Sequence, residues 1–151
     1  MPDIQRLFGL YKDDVFRLAL SYTGSRADAE DISQTVFLKL LQQPSLEPGK
    51  EKQWLLRVTA NECKSLLRCA WWRKTAPLEA AAGETAGEDT REVLKAVMAL
   101  KPKYRAVVYL HYYEGCSAKE TASILGISVS SVTTRLSRAR LLLKNVLEES
   151  Q

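Results

Sequence analysis

The chain has 151 residues, of which 46% are apolar, and a formal net charge of +4. That length suits one ordinary domain or two very small ones, and the composition supports a folded core but gives no sign of a membrane span. The amino terminus mixes charges of both signs and lacks a signal-peptide pattern, so we expect a cytoplasmic protein without direct membrane insertion. Three cysteines and a single histidine form no metal-ligand spacing, and we expect no metal and no cofactor.

Charge divides the chain into three segments. Residues 1–74 hold 12 basic and 9 acidic side chains, residues 75–89 hold 4 acidic and none basic, and residues 90–151 hold 10 basic and 5 acidic. The middle segment, TAPLEAAAGETAGED, has almost no large apolar side chain and cannot bury enough surface to fix its conformation. The pattern predicts an all-α protein with two small helical domains, 1–74 and 90–151, joined by a flexible linker at 75–89.

The first segment opens with two predicted amphipathic helices. One runs from Ile4 to about Tyr22, and Ser25 is a candidate N-cap for the next. The second helix has an apolar stripe for the core, formed by Ala29, Ile32, Val36, Phe37 and Leu40. Its opposite face is polar, and the residues alone indicate only a face in contact with solvent.

A third helix is predicted from Trp54 to about Lys74. It carries five cations against one acid, with Asn61 and three tryptophans interleaved. Cations can follow a phosphate backbone, while aromatic and amide groups can stack on or hydrogen-bond to unpaired bases. The alternative, with Trp54 in the core and the cations in water, stays open.

Residues 117–144 predict two short helices that meet at a corner of three residues, Gly126 to Ser128. The second helix has an apolar stripe of Val132, Leu136, Ala139 and Leu143, and its opposite face is polar and bordered by cations. Such a face suits the major groove of DNA, with phosphates along both walls. Because similar hairpins occur without DNA, this pattern alone does not decide the function. Pro102 fits the first turn of an earlier helix, and the segment is predicted to be a four-helix domain of the helix-turn-helix kind.

The order of DAEDISQTVF, WLLRVTAN and LKPKYRAVVYLHYYEGCSAKETASILGISVSSVTTRLSRAR resembles bacterial RNA polymerase sigma factors of the extracytoplasmic-function (ECF) group. The resemblance covers about residues 5–74 and 92–146. It implies a protein that binds core RNA polymerase and directs promoter-specific transcription initiation. It also implies promoter DNA and an anti-sigma factor as partners.

The resemblance assigns roles to three sets of residues. The set for core polymerase is Asp31, Gln34, Thr35 and Phe37. The set for the minus-ten element is Trp54, Asn61, Lys64 and Arg68. The set for the minus-thirty-five element is Ser130, Thr133, Thr134, Arg135, Ser137, Arg138 and Arg140. Two positions depart from the family pattern, since Thr35 stands where glutamate is usual and Thr133 where a cation is frequent.

Two other classes of function fit the sequence less well. A stand-alone helix-turn-helix regulator would explain the carboxy-terminal segment but leaves DAEDISQTVF and the Trp54 helix without a role. An enzyme has no support, because the sequence offers no phosphate-binding glycine loop, ligand cluster or pairing of nucleophile and base. We therefore expect no catalytic residue.

Overall fold

Helices make up the regular structure of residues 3–70 and 95–149, the part of the chain that the computed structural model describes; at 70 and 146–149 it describes the backbone alone. The helices are α1 (Ile4–Thr23), α2 (Arg26–Leu41), α3 (Glu51–Ala70), a turn of helix at 95–98, α4 (Pro102–Val108), a π-helical segment (Tyr109–Tyr113), α5 (Ala118–Leu125) and α6 (Val129–Glu149). The described ranges contain no strand. The predicted all-α class is confirmed, while the predicted linker at 75–89 lies outside the described residues.

Local capping explains where the first helices begin and end. Asp3 accepts a hydrogen bond from the Arg6 amide (3.1 Å), and Ser25 accepts one from the Asp28 amide (3.2 Å). These side chains satisfy amides of a first helical turn, which lack partners within the helix. Gly24 ends α1 with φ 68°, a left-handed conformation that glycine adopts without a Cβ clash. The predicted break between α1 and α2 is therefore confirmed.

The helix-turn-helix corner also forms as predicted. Ser117 and Glu120 make a reciprocal capping box at the start of α5, and Gly126 ends this helix with φ 69°. Ser128 then accepts a hydrogen bond from the Ser131 amide (3.1 Å) at the start of α6. In α6, Val132, Leu136 and Ala139 are buried. Sequence-local signals thus set both helices and the turn between them.

Two features differ from the prediction. Helix α3 begins at Glu51, three residues before Trp54, and the carboxylate of Glu51 accepts a hydrogen bond from the Gly49 amide (2.6 Å). The π-helical segment was not predicted; it continues α4 and stacks the rings of Tyr109 and Tyr113 with centroids 5.2 Å apart. Such segments are rare and occur mostly as single turns within α-helices, so a sequence pattern seldom predicts them.

The N-terminal half (α1 to α3) and the C-terminal half (residues 95–149) share one hydrophobic core. Helix α1 packs on α4, and α3 packs on α5. The core's large, fully buried side chains come from both halves: Leu7, Val15, Leu18, Val36, Leu40, Leu55, Leu56, Val107, Leu110, Leu125 and Val132. The charge pattern predicted two domains but gave no indication that they would pack together in this way.

Candidate nucleic-acid and polymerase interfaces

The α2 surface presents only part of the predicted polymerase set. Asp31 and Gln34 are exposed, and Thr35 is half-buried, with its hydroxyl donating to the Asp31 carbonyl (3.0 Å). Phe37 is only 9% exposed, and its ring meets that of Phe8 edge to face with centroids 5.0 Å apart. Phe37 therefore belongs mainly to the core, and its predicted contact with polymerase would use only the small remaining edge.

An apolar groove next to this surface was missed by the sequence analysis. It lies between α1 and α2, has a volume of about 720 Å³ and includes Gln34 in its lining. Phe8, Leu38 and Leu41 also line it, and Leu38 is 59% exposed. In the sequence, Leu38 is an apolar residue on the solvent side of the predicted α2 helix, and this could have indicated the groove. Single exposed apolar residues are common, however, so Leu38 alone does not predict one.

The face of α3 carries the predicted minus-ten residues along one side of the helix. Trp54, Asn61, Lys64 and Arg68 recur at intervals of seven, three and four residues, which keeps them close to one face. Asn61 and Arg68 are exposed, and Arg68 donates to the Ser65 hydroxyl (3.3 Å). Trp54 is half-buried, so part of its ring packs on the core and part stays accessible.

Trp54 lines a small cavity. The cavity has a volume of about 380 Å³ and is lined by Leu46, Glu47, Lys50, Gln53, Trp54, Arg57 and Ser123. The loop before α3 supplies three of these residues, α3 supplies three, and Ser123 comes from α5 in the other half. Asn61 does not line the cavity, so the structure brings together Trp54 and the loop but not Asn61.

Lys64 is held by the C-terminal half. Its ammonium group donates to the main-chain oxygen of Leu125, at the carboxyl end of α5. A cation is favoured there because the last carbonyls of a helix lack partners within it. Burial lowers the pKa of Lys64, and the nearby positive charges of Arg135 and Arg68 lower it further. Two predicted DNA contacts from different halves, Lys64 and Arg135, therefore lie near each other.

The α6 surface presents most of the predicted minus-thirty-five set. Ser130, Thr133, Thr134, Ser137, Arg138 and Arg140 are exposed, whereas Arg135 is half-buried. The Thr133 hydroxyl donates to the Ser130 carbonyl (2.9 Å) and remains able to accept a hydrogen bond. The guanidinium of Arg140 lies over the Tyr112 ring (5.6 Å to its centroid) and also donates to the Tyr112 hydroxyl. Tyr112 thus positions Arg140, a role that the sequence analysis missed.

The described ranges contain neither a metal-binding cluster nor a membrane-spanning helix. Neither stretch contains three or more histidine, cysteine or acidic side chains grouped so that they could hold a metal ion. Neither contains a helix long and apolar enough to cross a membrane.

Comparison with known proteins places both halves in one family. The description "Sigma-70 region 2" matches residues 7–73, and "Sigma-70, region 4" matches residues 90–143. The ECF RNA polymerase sigma factor SigM of Mycobacterium tuberculosis is 32% identical over 148 residues, covering 94% of this chain and 76% of the relative. This chain belongs to the ECF RNA polymerase sigma factor family.

This ECF family member spans less than two thirds of the length of two other relatives. SigE of Mycolicibacterium smegmatis is 29% identical over 97% of this chain, which spans 62% of SigE. The probable sigma factor RfaY of Xanthomonas campestris is 30% identical over 94% of this chain, which spans 40% of RfaY.

The fold is shared with solved sigma factors. RpoE of Bartonella quintana, solved in complex with the anti-sigma factor NepR, matches with a TM-score of 0.83 at 24% identity, over 100% of both chains. CnrH, solved with the cytosolic domain of CnrY, matches with a TM-score of 0.67 at 23% identity, over 98% of this chain and 89% of CnrH. The RpoE match spans both halves of this chain.

Proposed function

We propose that this chain is a sigma factor that binds core RNA polymerase and directs promoter-specific transcription initiation in the cytoplasm. Residues 1–74 would serve core polymerase and the minus-ten element, residues 75–89 would link the halves, and residues 90–151 would bind the minus-thirty-five element. The observation that carries the proposal is that one chain combines two helices suited to nucleic acid, α3 and α6. A stand-alone regulator needs only the second.

The two helices would perform different tasks. The hydroxyls and Arg138 on α6 suit base edges in the major groove, and Arg135 and Arg140 suit phosphates. The face of α3 suits unpaired bases, because Trp54 offers an aromatic surface, Asn61 offers an amide, and Lys64 and Arg68 offer cations. Opening the duplex costs a few kcal/mol, which capture of extruded bases offsets. The chain would therefore act by binding, without catalysis of its own.

The polymerase surface would centre on the exposed part of α2. Asp31 and Gln34 would supply polar contacts, Thr35 would add a neutral contact, and the exposed edge of Phe37 would adjoin the apolar groove. RpoE of Bartonella quintana was solved in complex with the anti-sigma factor NepR, and we extend such a partner to this chain as part of the proposal.

Run-off transcription with bare core polymerase and a library of promoter fragments tests the proposal. We expect transcripts from a specific subset of fragments only when both the chain and core polymerase are present. An alanine variant of Asn61 should lower transcript yield while leaving the bound fraction of polymerase unchanged. Tight operator binding by the chain alone, without any core-dependent transcript, would favour the stand-alone regulator instead.

A further inference from the structure

The loop that joins α2 to α3, residues 42–50, borders two cavities. One is the Trp54 cavity, to which the loop contributes Leu46, Glu47 and Lys50. The other has a volume of about 350 Å³ and is lined by the loop and the ends of two helices: Asp3, Arg6, Leu7, Ser45, Leu46, Pro48, Gly49 and Glu51. Leu46 lines both cavities and packs against the hydrophobic core. The loop is therefore a thin wall of the Trp54 cavity, with space between it and α1.

An ion pair among the residues of the second cavity ties this loop to α1. The Arg6 guanidinium in α1 donates to one carboxylate oxygen of Glu51 (3.1 Å), and the Gly49 amide in the loop donates to the other (2.6 Å). The hydrogen bonds from Arg6 and Gly49 lower the pKa of Glu51, so its carboxylate keeps its charge at neutral pH. Glu51 thus joins the end of the loop, the first turn of α3 and the first turn of α1.

The turn at 47–50 is otherwise held by local contacts. The Lys50 amide donates to the Glu47 carbonyl (3.0 Å), and the Lys50 ammonium pairs with the Glu47 carboxylate (3.5 Å). These contacts set the shape of the turn. The distance of the turn from α1 depends instead on the ion pair of Arg6 with Glu51 and on the packing of Leu46.

The loop wall faces the position that an unpaired base would take. The Trp54 cavity, of about 380 Å³, has a size typical of ligand sites, which span about 300–1,000 Å³. A base stacked on the Trp54 ring would meet Glu47 and Lys50 of the loop, which offer an acceptor and a donor for its edge. Because hydrogen bonds depend steeply on distance and angle, a displaced loop would read that edge less selectively.

We propose that Arg6 is a positioning residue: acting through Glu51, it holds the loop wall of the Trp54 cavity in place and thereby sets the base preference at the minus-ten element. Arg6 need not touch DNA in this role. The inference rests on the proposed function, which gives the unpaired minus-ten bases to the face of α3.

Arg6 can be substituted without damage to the fold. Its side chain is 53% exposed, and exposed ion pairs contribute little to overall stability. It lies in the first turn of α1, where a cation opposes the helix dipole and alanine is a better helix former. Removing the guanidinium should therefore release the loop while α1 stays intact.

Hydrogen exchange in the free protein tests the structural step. Arg6→Ala and Arg6→Glu should speed exchange of the amides at 45–50 by about threefold or more, because the loop opens more often. Arg6→Lys keeps the charge and should exchange like the wild type. Lys103→Ala removes an exposed cation from α4 and is the matched control. Equal exchange in all of these proteins would overturn the inference and leave the proposed function untouched.

Base selectivity at saturating core polymerase tests the functional step. Forked fragments with an unpaired minus-ten strand, each with one base changed, compete with the preferred fragment, and the ratio of affinities is measured within each variant. We expect this ratio to fall by about two- to fivefold in Arg6→Ala, the range of an exposed ion pair. Arg6→Glu should lower it further, because the new carboxylate repels Glu51. Arg6→Lys and Lys103→Ala should keep the wild-type ratio.

The remaining outcomes distinguish positioning from other roles. An equal loss of affinity for every fragment, with unchanged ratios, would show that Arg6 contacts a phosphate directly and would overturn the inference. Equal losses of selectivity in Arg6→Lys and Arg6→Ala would overturn it as well, because the charge would then be irrelevant. Failure of the wild type to bind any forked fragment with polymerase would instead overturn the proposed function, while the exchange result would still show whether Arg6 holds the loop.

Discussion

Arg105 in α4 donates a hydrogen bond of 2.5 Å to the carbonyl oxygen of Ser21 in α1, so one half of the molecule closes the helix end of the other. The same guanidinium donates to the oxygens of Tyr22 (3.0 Å) and Leu100 (2.7 Å), and Arg105 is only 3% exposed. Burial lowers the pKa of Arg105, but an arginine stays charged at any physiological pH. Among the described residues, carbonyl dipoles rather than an acidic partner therefore accommodate its charge.

Replacing Arg105 with leucine should destabilise the protein strongly. The substitution keeps bulk but leaves buried carbonyl oxygens without donors, which we expect to cost about 3 kcal/mol of unfolding free energy. Urea denaturation followed by circular dichroism measures this loss. Lys119→Leu on exposed α5 is the control and should change stability by less than about 0.5 kcal/mol. A loss below about 1 kcal/mol for Arg105→Leu would show that these bonds contribute little.

Local features of the fold could be predicted from the sequence, and contacts between the halves could not. Ser25, Gly126 and Ser128 act on neighbouring residues, so their roles follow from spacing and cap preference. Arg105 stands among the other cations of KPKYR, and nothing in that stretch indicates that it would be buried against α1.

In the candidate site, too, the exposed helix faces could be predicted from the sequence, and the contacts between the halves could not. The exposed face of α6 follows from its apolar stripe, because the opposite side of a helix must face solvent. The bond between Lys64 and Leu125 joins residues 61 positions apart, and no local pattern records it. Helical periodicity identified the surfaces, while the contact between α3 and α5 is seen only in the three-dimensional structure.

Arg140 and Arg138 should have different effects on DNA binding. Arg140→Ala should remove one phosphate contact and reduce the salt slope of binding to minus-thirty-five duplex by about one, with sequence preference unchanged. Arg138→Ala should relax preference at one base position and cost about 1–3 kcal/mol. Fluorescence anisotropy across a salt series, with matched and mismatched duplexes, separates the two effects.

A substitution of Tyr112 provides a further test of the role assigned to Arg140. Because its ring and hydroxyl hold the Arg140 guanidinium, Tyr112→Leu should weaken binding while keeping most of the salt slope. Lys119→Ala, which removes an exposed cation from α5, should change neither slope nor preference. The assigned role for Arg140 would be wrong if its alanine variant kept the full slope.

Thr35 offers a gain-of-function test on the polymerase surface. Its hydroxyl donates to the Asp31 carbonyl and provides no charge. Thr35→Glu should strengthen binding to core polymerase by up to about fivefold, the range of an exposed ion pair. The added charge lies four residues after Asp31 and should cost about 0.2–0.5 kcal/mol of helix stability.

Competition with a labelled sigma factor for limiting core polymerase measures this change. Thr35→Gln has the size of the glutamate variant without its charge and serves as the control. Equal affinities for the two variants would show that no positive group of the polymerase faces this position.

Asp14 should make the stability of the packed form depend on pH. Burial and the nearby Glu114 carboxylate raise the pKa of Asp14 from 3.8 to about 6, against the opposing effect of Lys52 and Arg17. Burial also acts to raise the pKa of Glu114, but hydrogen bonds from Asp14, Lys52 and Tyr109 outweigh it and the net shift is downward. The native state therefore binds a proton at Asp14 more tightly than the unfolded chain does.

The sign of the effect follows from this difference. Between about pH 6 and the ordinary Asp14 value of 3.8, the native state holds more protons, so stability falls as pH rises. Glu114 contributes in the opposite sense, and its contribution is lost only as pH falls below its ordinary value of 4.5. We expect a higher free energy of unfolding at pH 5.5 than at pH 7.5, in a buffer series chosen around these values.

Asp14→Asn isolates this contribution, because it mimics the protonated carboxyl group. The variant should be more stable than the wild type at pH 7.5, and the difference should shrink at pH 5.5. Asp13→Asn removes the neighbouring exposed carboxylate and should keep the wild-type pH dependence. If Asp14→Asn and Asp13→Asn gave the same urea denaturation profiles at both pH values, Asp14 would not hold the proton that links α1 to Glu114.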